Sequence, residues 1–219
     1  YYAIGHNGNL TNTWQLRASL EERGSIFQST MDTEVIVHLM AARLKNGFDA
    51  ALSAALGEVE GAYSLVMLTR HRIIAARDPR GFRPLCLGLI NGGWVVASET
   101  CAFDLVGAAY VRDIAPGEIV IIDETGVKSL TPFPEQKYAH CIFELIYFAR
   151  PDSRVFDESV HLARKRMGAA LARMDREAGL EGDLVLPVPD SGNSAALGYA
   201  EEAGLPLVAT NDVHYLRHE

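Results

Sequence analysis

The segment His6-Asn7-Gly8-Asn9-Leu10-Thr11-Asn12 sets an asparagine amide beside a glycine N–H, directly after the apolar run 1–5. Two such donors aimed at one point can hold the negative charge that develops on a carbonyl oxygen in acyl transfer, and each is worth about 3 kcal/mol there. Asn-Gly is also a common turn, so the segment by itself leaves a plain turn open. Asp32, just ahead of a helical pattern, likewise has two readings: a helix cap, or a carboxylate that receives an ammonium group. Farther on, Ser191 lies in the loop Pro189-Asp190-Ser191-Gly192-Asn193, between an apolar run and a helix, where a strand-end turn next to a helix start is one reading.

The elements that must position these residues follow from periodicity. The run 1–5 predicts a strand and His6-Asn7-Gly8-Asn9 a turn. Thr11, Asn12 and Thr13 are candidate caps for a helix reaching Arg23, which Gly24 stops. A second helix is predicted from Asp32, because Val35, Ile36, Leu39, Met40 and Leu44 share one face and Gly47 supplies a C-cap. A third, Ala-rich helix covers 48–56. From Ala62 the pattern changes: 63–68, 72–76, 85–90 and 94–97 predict an antiparallel meander, and 118–122 with 127–130 a further hairpin. Thr131-Pro132-Phe133-Pro134 suits a link between domains, since two prolines so close disfavour a strand. Beyond it, a long helix at 158–178, a buried-type strand at 184–188, a helix to about 203 and a strand at 205–209 predict the start of a parallel α/β unit.

Composition narrows the class. With 219 residues, 48% hydrophobic and 22% charged, the chain suits one to two globular domains, which excludes disorder, collagen and a small disulfide scaffold. Twenty Lys+Arg against twenty-eight Asp+Glu leave a net charge of −8, so the overall field repels polyanions and predicts no nucleic-acid partner. No apolar run approaches the roughly 18 residues that cross a bilayer, so no membrane partner is predicted. Cys86, Cys101 and Cys141 are odd in number and widely spaced, which fits neither a disulfide framework nor a self-sufficient zinc site; a cytoplasmic, reducing setting is expected.

Taken in order, His6 to Asn12, Asp32-Thr33-Glu34, Arg77-Asp78-Pro79-Arg80-Gly81-Phe82-Arg83-Pro84-Leu85, Ala97-Ser98-Glu99-Thr100, Phe143-Glu144 and Tyr147-Phe148-Ala149-Arg150-Pro151-Asp152-Ser153 closely resemble the amidophosphoribosyltransferase family over about 1–206. The first block alone also fits other class II glutamine amidotransferases; the later blocks point to the purine member. The resemblance implies an α+β fold: a four-layer αββα N-terminal-nucleophile sandwich, incomplete here, followed by the start of an α/β phosphoribosyltransferase domain. The implied division is 1–134 glutaminase, 135–207 linker and beginning of the second domain, and 208–219 an atypical tail. It further implies that ammonia freed from glutamine attacks phosphoribosyl pyrophosphate, giving phosphoribosylamine, pyrophosphate and glutamate at the first step of purine synthesis. By position, Asn7 and Gly8 would form the oxyanion hole and Asp32 would hold the α-ammonium of glutamine. Ser191 would contribute to a Mg2+ site, and Cys141 matches a position that ligates a [4Fe–4S] cluster in some members; a buried, inert cysteine is the alternative. The full-length protein would be a homo-oligomer.

Two departures accompany the resemblance. The family's nucleophile is an N-terminal cysteine whose own α-amine is the base, and an upstream arginine grips the substrate carboxylate. Neither lies in this chain, which is expected to be truncated at both ends, with about 80–100 residues missing ahead of Tyr1 by the usual size of such a domain. The chain alone is then expected to be inactive. A non-catalytic amidotransferase-like module that binds glutamine or a partner subunit is one alternative, and a metal-dependent phosphoesterase or polymerase segment, resting on the tail alone, is another. The run Asn211-Asp212-Val213-His214 instead resembles a metal-binding segment of the polymerase-and-histidinol-phosphatase domain in bacterial DNA polymerase III alpha subunits.

Overall fold

In a computed structural model, which describes residues 2–209, packing divides the chain into Tyr1–Ser98 with Val106–His140, and Glu99–Leu105 with Cys141–Glu219. The run Asn211 to His214 lies outside the described residues. The first unit begins β1 (Tyr2–Leu10), α1 (Thr13–Glu22), α2 (Thr33–Ala41), α3 (Phe48–Leu56), β2 (Gly61–Thr69), β3 (Ile73–Arg77), β4 (Cys86–Ile90) and β5 (Gly93–Ala97). After a short helix α4 (Cys101–Val106), most of which packs with the second unit, come β6 (Ala109–Asp113), β7 (Ile119–Asp123) and β8 (Gly126–Leu130).

These strands form two antiparallel sheets, ordered β1-β2-β3-β7-β8 and β5-β4-β6. Alternation along the strands separates two cores. Leu65, Met67, Ile74, Ala76, Ile119 and Ile121 face the helices and pack with Leu20, Val35, Ile36, Leu39, Met40, Leu52 and Leu56. Ala75, Val120 and Ile122 face the other way and pack with Leu85, Leu87 and Ile114 of the second sheet side. Helices, sheet and sheet thus stack as consecutive layers of the expected sandwich.

The predicted single meander is corrected, because β2 and β3 belong to one sheet and β4 and β5 to the other. The crossing between them is held by a buried arginine. Arg77 donates from Nε to the Arg83 carbonyl (2.8 Å), from Nη1 to Ile114 (2.8 Å) and from Nη2 to Gly81 (3.1 Å). The Asp78 carboxylate collects the N–H groups of Arg80 and Phe82 at 2.9 and 3.0 Å. Burial still pushes the Asp78 carboxyl above its usual range, the backbone donors offsetting it only in part.

Three further expectations change. The predicted turn at 6–9 is strand, since β1 runs unbroken to Leu10 and pairs along its length with β2, from Tyr2 opposite Thr69 to Leu10 opposite Gly61. The second helix ends at Ala41, and Leu44 lies in a separate 3-10 turn, 44% exposed. Asn12 precedes α1 without capping it; its amide instead bridges the Glu58 carbonyl and the Glu60 N–H at 2.9 Å each, tying α1 to the start of β2.

The loop between α1 and α2 is pinned at Ser29. Glu34 accepts the N–H groups of Gln28 (2.7 Å) and Ser29 (2.8 Å) and the Ser29 hydroxyl (2.6 Å), while Arg17 Nη1 donates to the Ser29 carbonyl (2.7 Å). Those donors, led by the Gln28 N–H, hold the Glu34 carboxyl down to about 2.

In the second unit, α5 (Val160–Glu177) and α6 (Gly192–Ala203) cross at reciprocal glycines. A Cβ on Gly168 would collide with the Ala195 carbonyl, and one on Gly198 with the Lys165 carbonyl. The stretch 184–188 is not buried. It makes one parallel bridge, Val185 with Leu207, and Leu184, Leu186 and Val188 stay exposed, because among the described residues no flanking strand covers them. The bridge has the parallel sense expected of strand–helix–strand. No helix is long and apolar enough to cross a membrane, among the described residues.

Two outcomes test these contacts. Gly198→Ala should destabilise the second unit by about 1–3 kcal/mol through overpacking, seen as faster amide exchange in α5 and α6 with α2 and α3 unaffected. Because Glu34 is lowered in the folded chain, its tether is fully present above the ordinary glutamate value and lost as pH falls toward 2. Amide protection at Gln28 and Ser29 should therefore survive at pH 4 and vanish near pH 2.

Candidate active site

The first unit's cleft starts from a close backbone approach. At Gly8 a Cβ would strike the Ala62 carbonyl, and at Gly61 one would strike the Asn9 carbonyl, so glycine is required on both strands where β1 meets β2. The space left admits the His6 ring, which sits between β1, β2 and the start of α2. Its Nε2 lies 3.3 Å from the Ala62 carbonyl, and its Nδ1 3.0 Å from Thr33 Oγ1 and 3.3 Å from Asp32 Oδ1.

Asp32 occupies the cap position of α2 yet makes no side-chain cap bond. Its carboxylate turns instead to β1. Oδ2 accepts the Leu10 N–H at 2.9 Å, and Oδ1 accepts the Thr33 hydroxyl at 3.1 Å. Partial burial works to raise this carboxyl, but the Leu10 N–H, the His6 ring and Thr33 outweigh it, and Asp32 lies below its ordinary value.

Gly8 and Asp32 line one cleft of about 640 Å³, with Leu10, Thr11, Trp14 and Arg17. Asn7 precedes Gly8 on β1 and is exposed; by strand alternation its side chain leaves the face opposite to His6. The structure therefore brings Gly8 and Asp32 together and sets the Asn7 side chain on the other side of the same strand. The cleft carries both signs of charge. Arg17, at its rim, lies 4.3 Å over the Phe27 ring and is engaged by Glu21 and the Ser29 carbonyl.

His6, Thr33 and Arg17 received no role from the sequence. His6 stands within the quoted motif, but its contacts depend on a strand partner at 62 and a helix start at 33, which no local pattern reveals.

The second unit has its own cleft of about 680 Å³, lined by Tyr147, Arg150, Arg164, Asp190, Ser191 and Asn193 among others. Arg164 is buried there and donates to the carbonyls of Leu145 (2.9 Å) and Ala149 (2.7 Å). Ser191 stands at the start of α6, and its hydroxyl makes no cap bond. Magnesium takes few protein ligands and draws others from phosphates and water. Asp190 and Ser191 offer two oxygens, and among the described residues no group of three or more His, Cys, Asp or Glu converges as a metal site. A [4Fe–4S] cluster needs four thiolates. The chain has three cysteines, of which Cys86 and Cys101 are buried and Cys141 half-buried, so these residues do not fit a cluster by themselves.

Residues 1–104 match the profile of a glutamine amidotransferase domain. The chloroplastic amidophosphoribosyltransferase of Glycine max is 49% identical over 207 residues, covering 94% of this chain and 36% of that protein. The amidophosphoribosyltransferase of Bacillus subtilis (strain 168) is 46% identical, covering 93% and 42%. A solved glutamine phosphoribosylpyrophosphate amidotransferase from B. subtilis, complexed with ADP and GMP, superposes with a TM-score of 0.90 at 45% identity, covering 94% of this chain and 45% of that one. The chain spans less than half the length of these relatives. In sequence and in fold alike, it is similar to amidophosphoribosyltransferases over 94% of its length, and residues 1–104 match a glutamine amidotransferase domain.

Proposed function

We propose that the first unit binds glutamine for hydrolysis, and that the protein to which these residues belong passes the ammonia to phosphoribosyl pyrophosphate. The observation that carries this reading is the orientation of Asp32: a carboxylate at a helix start that leaves the helix uncapped, is fixed by the Leu10 N–H and the Thr33 hydroxyl, and shares a cleft with Gly8. Asp32 receives the α-ammonium of glutamine. Leu10 directs its N–H away from β2 toward Asp32, and strand alternation gives Gly8, two residues earlier, the same side. That N–H is the oxyanion donor, lying in the sheet plane at the edge of β1 away from β2, and the Asn7 amide is the proposed second donor, reaching the same oxygen around that edge from the opposite face.

The chemistry is acyl transfer to a thiol. A cysteine sulfur adds to the carboxamide carbon, the Gly8 and Asn7 donors hold the resulting oxyanion, and collapse breaks the C–N bond as ammonia leaves with a proton from the base. Water cleaves the thioester to glutamate. The ammonia lone pair then attacks C1 of phosphoribosyl pyrophosphate, and the C1–O bond to pyrophosphate breaks. Cys86, Cys101 and Cys141 all lie inside the chain and carry no free α-amine, so none of them is assigned as this nucleophile. Residues 1–134 are the proposed glutaminase domain, and 135–207 the linker and start of the phosphoribosyltransferase domain. Ser191 is the proposed oxygen ligand for Mg2+ bound with the substrate's phosphates, and no step is routed through an iron–sulfur cluster.

Calorimetric titration of L-glutamine into the chain should show Asp32→Asn weakening binding about 10- to 100-fold, the loss of a charged hydrogen bond. Equal affinity would remove Asp32 from this role. The purified polypeptide Tyr1–Glu219 should release no ammonia from glutamine in a coupled glutamate dehydrogenase assay. Measurable, glutamine-specific release would overturn the exclusion of Cys86, Cys101 and Cys141 as the nucleophile.

A further inference from the structure

The buried ring of His6 touches both halves of the glutamine cleft. Its side chain is 5% exposed. On one side, Nδ1 meets Asp32 Oδ1 at 3.3 Å and Thr33 Oγ1 at 3.0 Å; on the other, Nε2 meets the Ala62 carbonyl at 3.3 Å. The same Nε2 would lie 2.8 Å from a Cβ on Gly8, so the ring fills the space that the missing side chain leaves. The terminal torsion of an aspartate is broad, and a carboxylate held by one donor can swing. Asp32 is held at Oδ2 by the Leu10 N–H and at Oδ1 by Thr33, with the imidazole beside that second oxygen.

We propose that His6 is a positioning residue for the bound amino acid: wedged between β1, β2 and α2, it locks the Asp32 carboxylate in register with the Gly8 backbone. The ammonium of the ligand and its carboxamide oxygen are then read at a fixed separation, which selects the side-chain length of glutamine. His6 itself touches no reacting atom. This rests on the glutamine reading of the cleft, and the experiment separates the two.

Three variants divide the contacts of the ring. Asn carries an amide nitrogen near the place of Nδ1 and retains the link to Asp32 and Thr33; Gln carries one near the place of Nε2 and retains the link to Ala62; Ala loses both. In the chain Tyr1–Glu219, affinity for L-glutamine should fall about tenfold in His6→Ala and His6→Gln and recover in large part in His6→Asn. The carbon-13 carboxyl resonance of Asp32, followed against pH without ligand, should move in His6→Ala and His6→Gln and return toward its original position in His6→Asn. A merely structural histidine would give affinities that follow the melting temperatures of the three variants and an Asp32 resonance that ignores which contact is kept; either result overturns the proposal. Asp32→Asn without effect on glutamine, or a parent chain that does not bind it, sinks the cleft reading alone, since the Asp32 resonance still reports on His6. Should His6→Ala fail to fold, the Asn and Gln variants carry the test unaided.

Discussion

The first unit depends on how closely two backbones approach where β1 meets β2. Gly8 and Gly61 carry no Cβ because the facing carbonyls of Ala62 and Asn9 occupy that space. The same omission leaves room for the His6 ring, and the ring reaches the start of α2, so Asp32 is held from β1 by the Leu10 N–H and His6 as well as by Thr33 of its own helix. A catalytic-type constellation is thereby placed on sheet and helix backbone, where torsional freedom is small, and not on a loop.

Buried charge is handled here by backbone rather than by opposite charge alone. Arg77 satisfies three carbonyls from separate parts of the crossing between the sheets, and Asp78 gathers N–H groups from the same loop. An unpaired polar group in such a place costs about 1–3 kcal/mol, so each partner is as necessary as the guanidinium itself. The Ser29 peptide follows the same logic at the surface, gripped by Glu34 at its N–H and by Arg17 at its carbonyl. The loop beside the cleft is thus ordered by side chains from both helices that flank it.

Much of this could be read from residue order, and the failures have physical causes. The helix at Phe48–Leu56 and the hairpin β7–β8 fall where periodicity puts them, with Glu124 and Thr125 as the turn. The Asn7-Gly8 pair has the pattern of a turn and is strand, because Gly serves turns and close strand approach alike and only the facing residue decides between them. Helix α4 escaped because six residues give too little period to recognise, and β6 because it is mostly exposed and Arg112 and Asp113 interrupt its apolar run. The buried-type pattern at 184–188 was sound as composition, yet burial needs neighbours that the described residues do not supply. At the candidate site, Gly8 and Asp32 stand out by type and spacing, whereas the His6 ring makes its contacts 27 and 56 positions away.

Trp14 deserves a last thought as an optical element. It is 77% exposed at the mouth of the Asp32 cleft, while Trp94, the second of the chain's two tryptophans, packs between the sheets. Their emission maxima differ, since one indole relaxes in water and the other is half-buried against an apolar core. A soluble collisional quencher will find the first and largely miss the second. Occupancy of the cleft is therefore written into the red edge of the fluorescence spectrum, without any label.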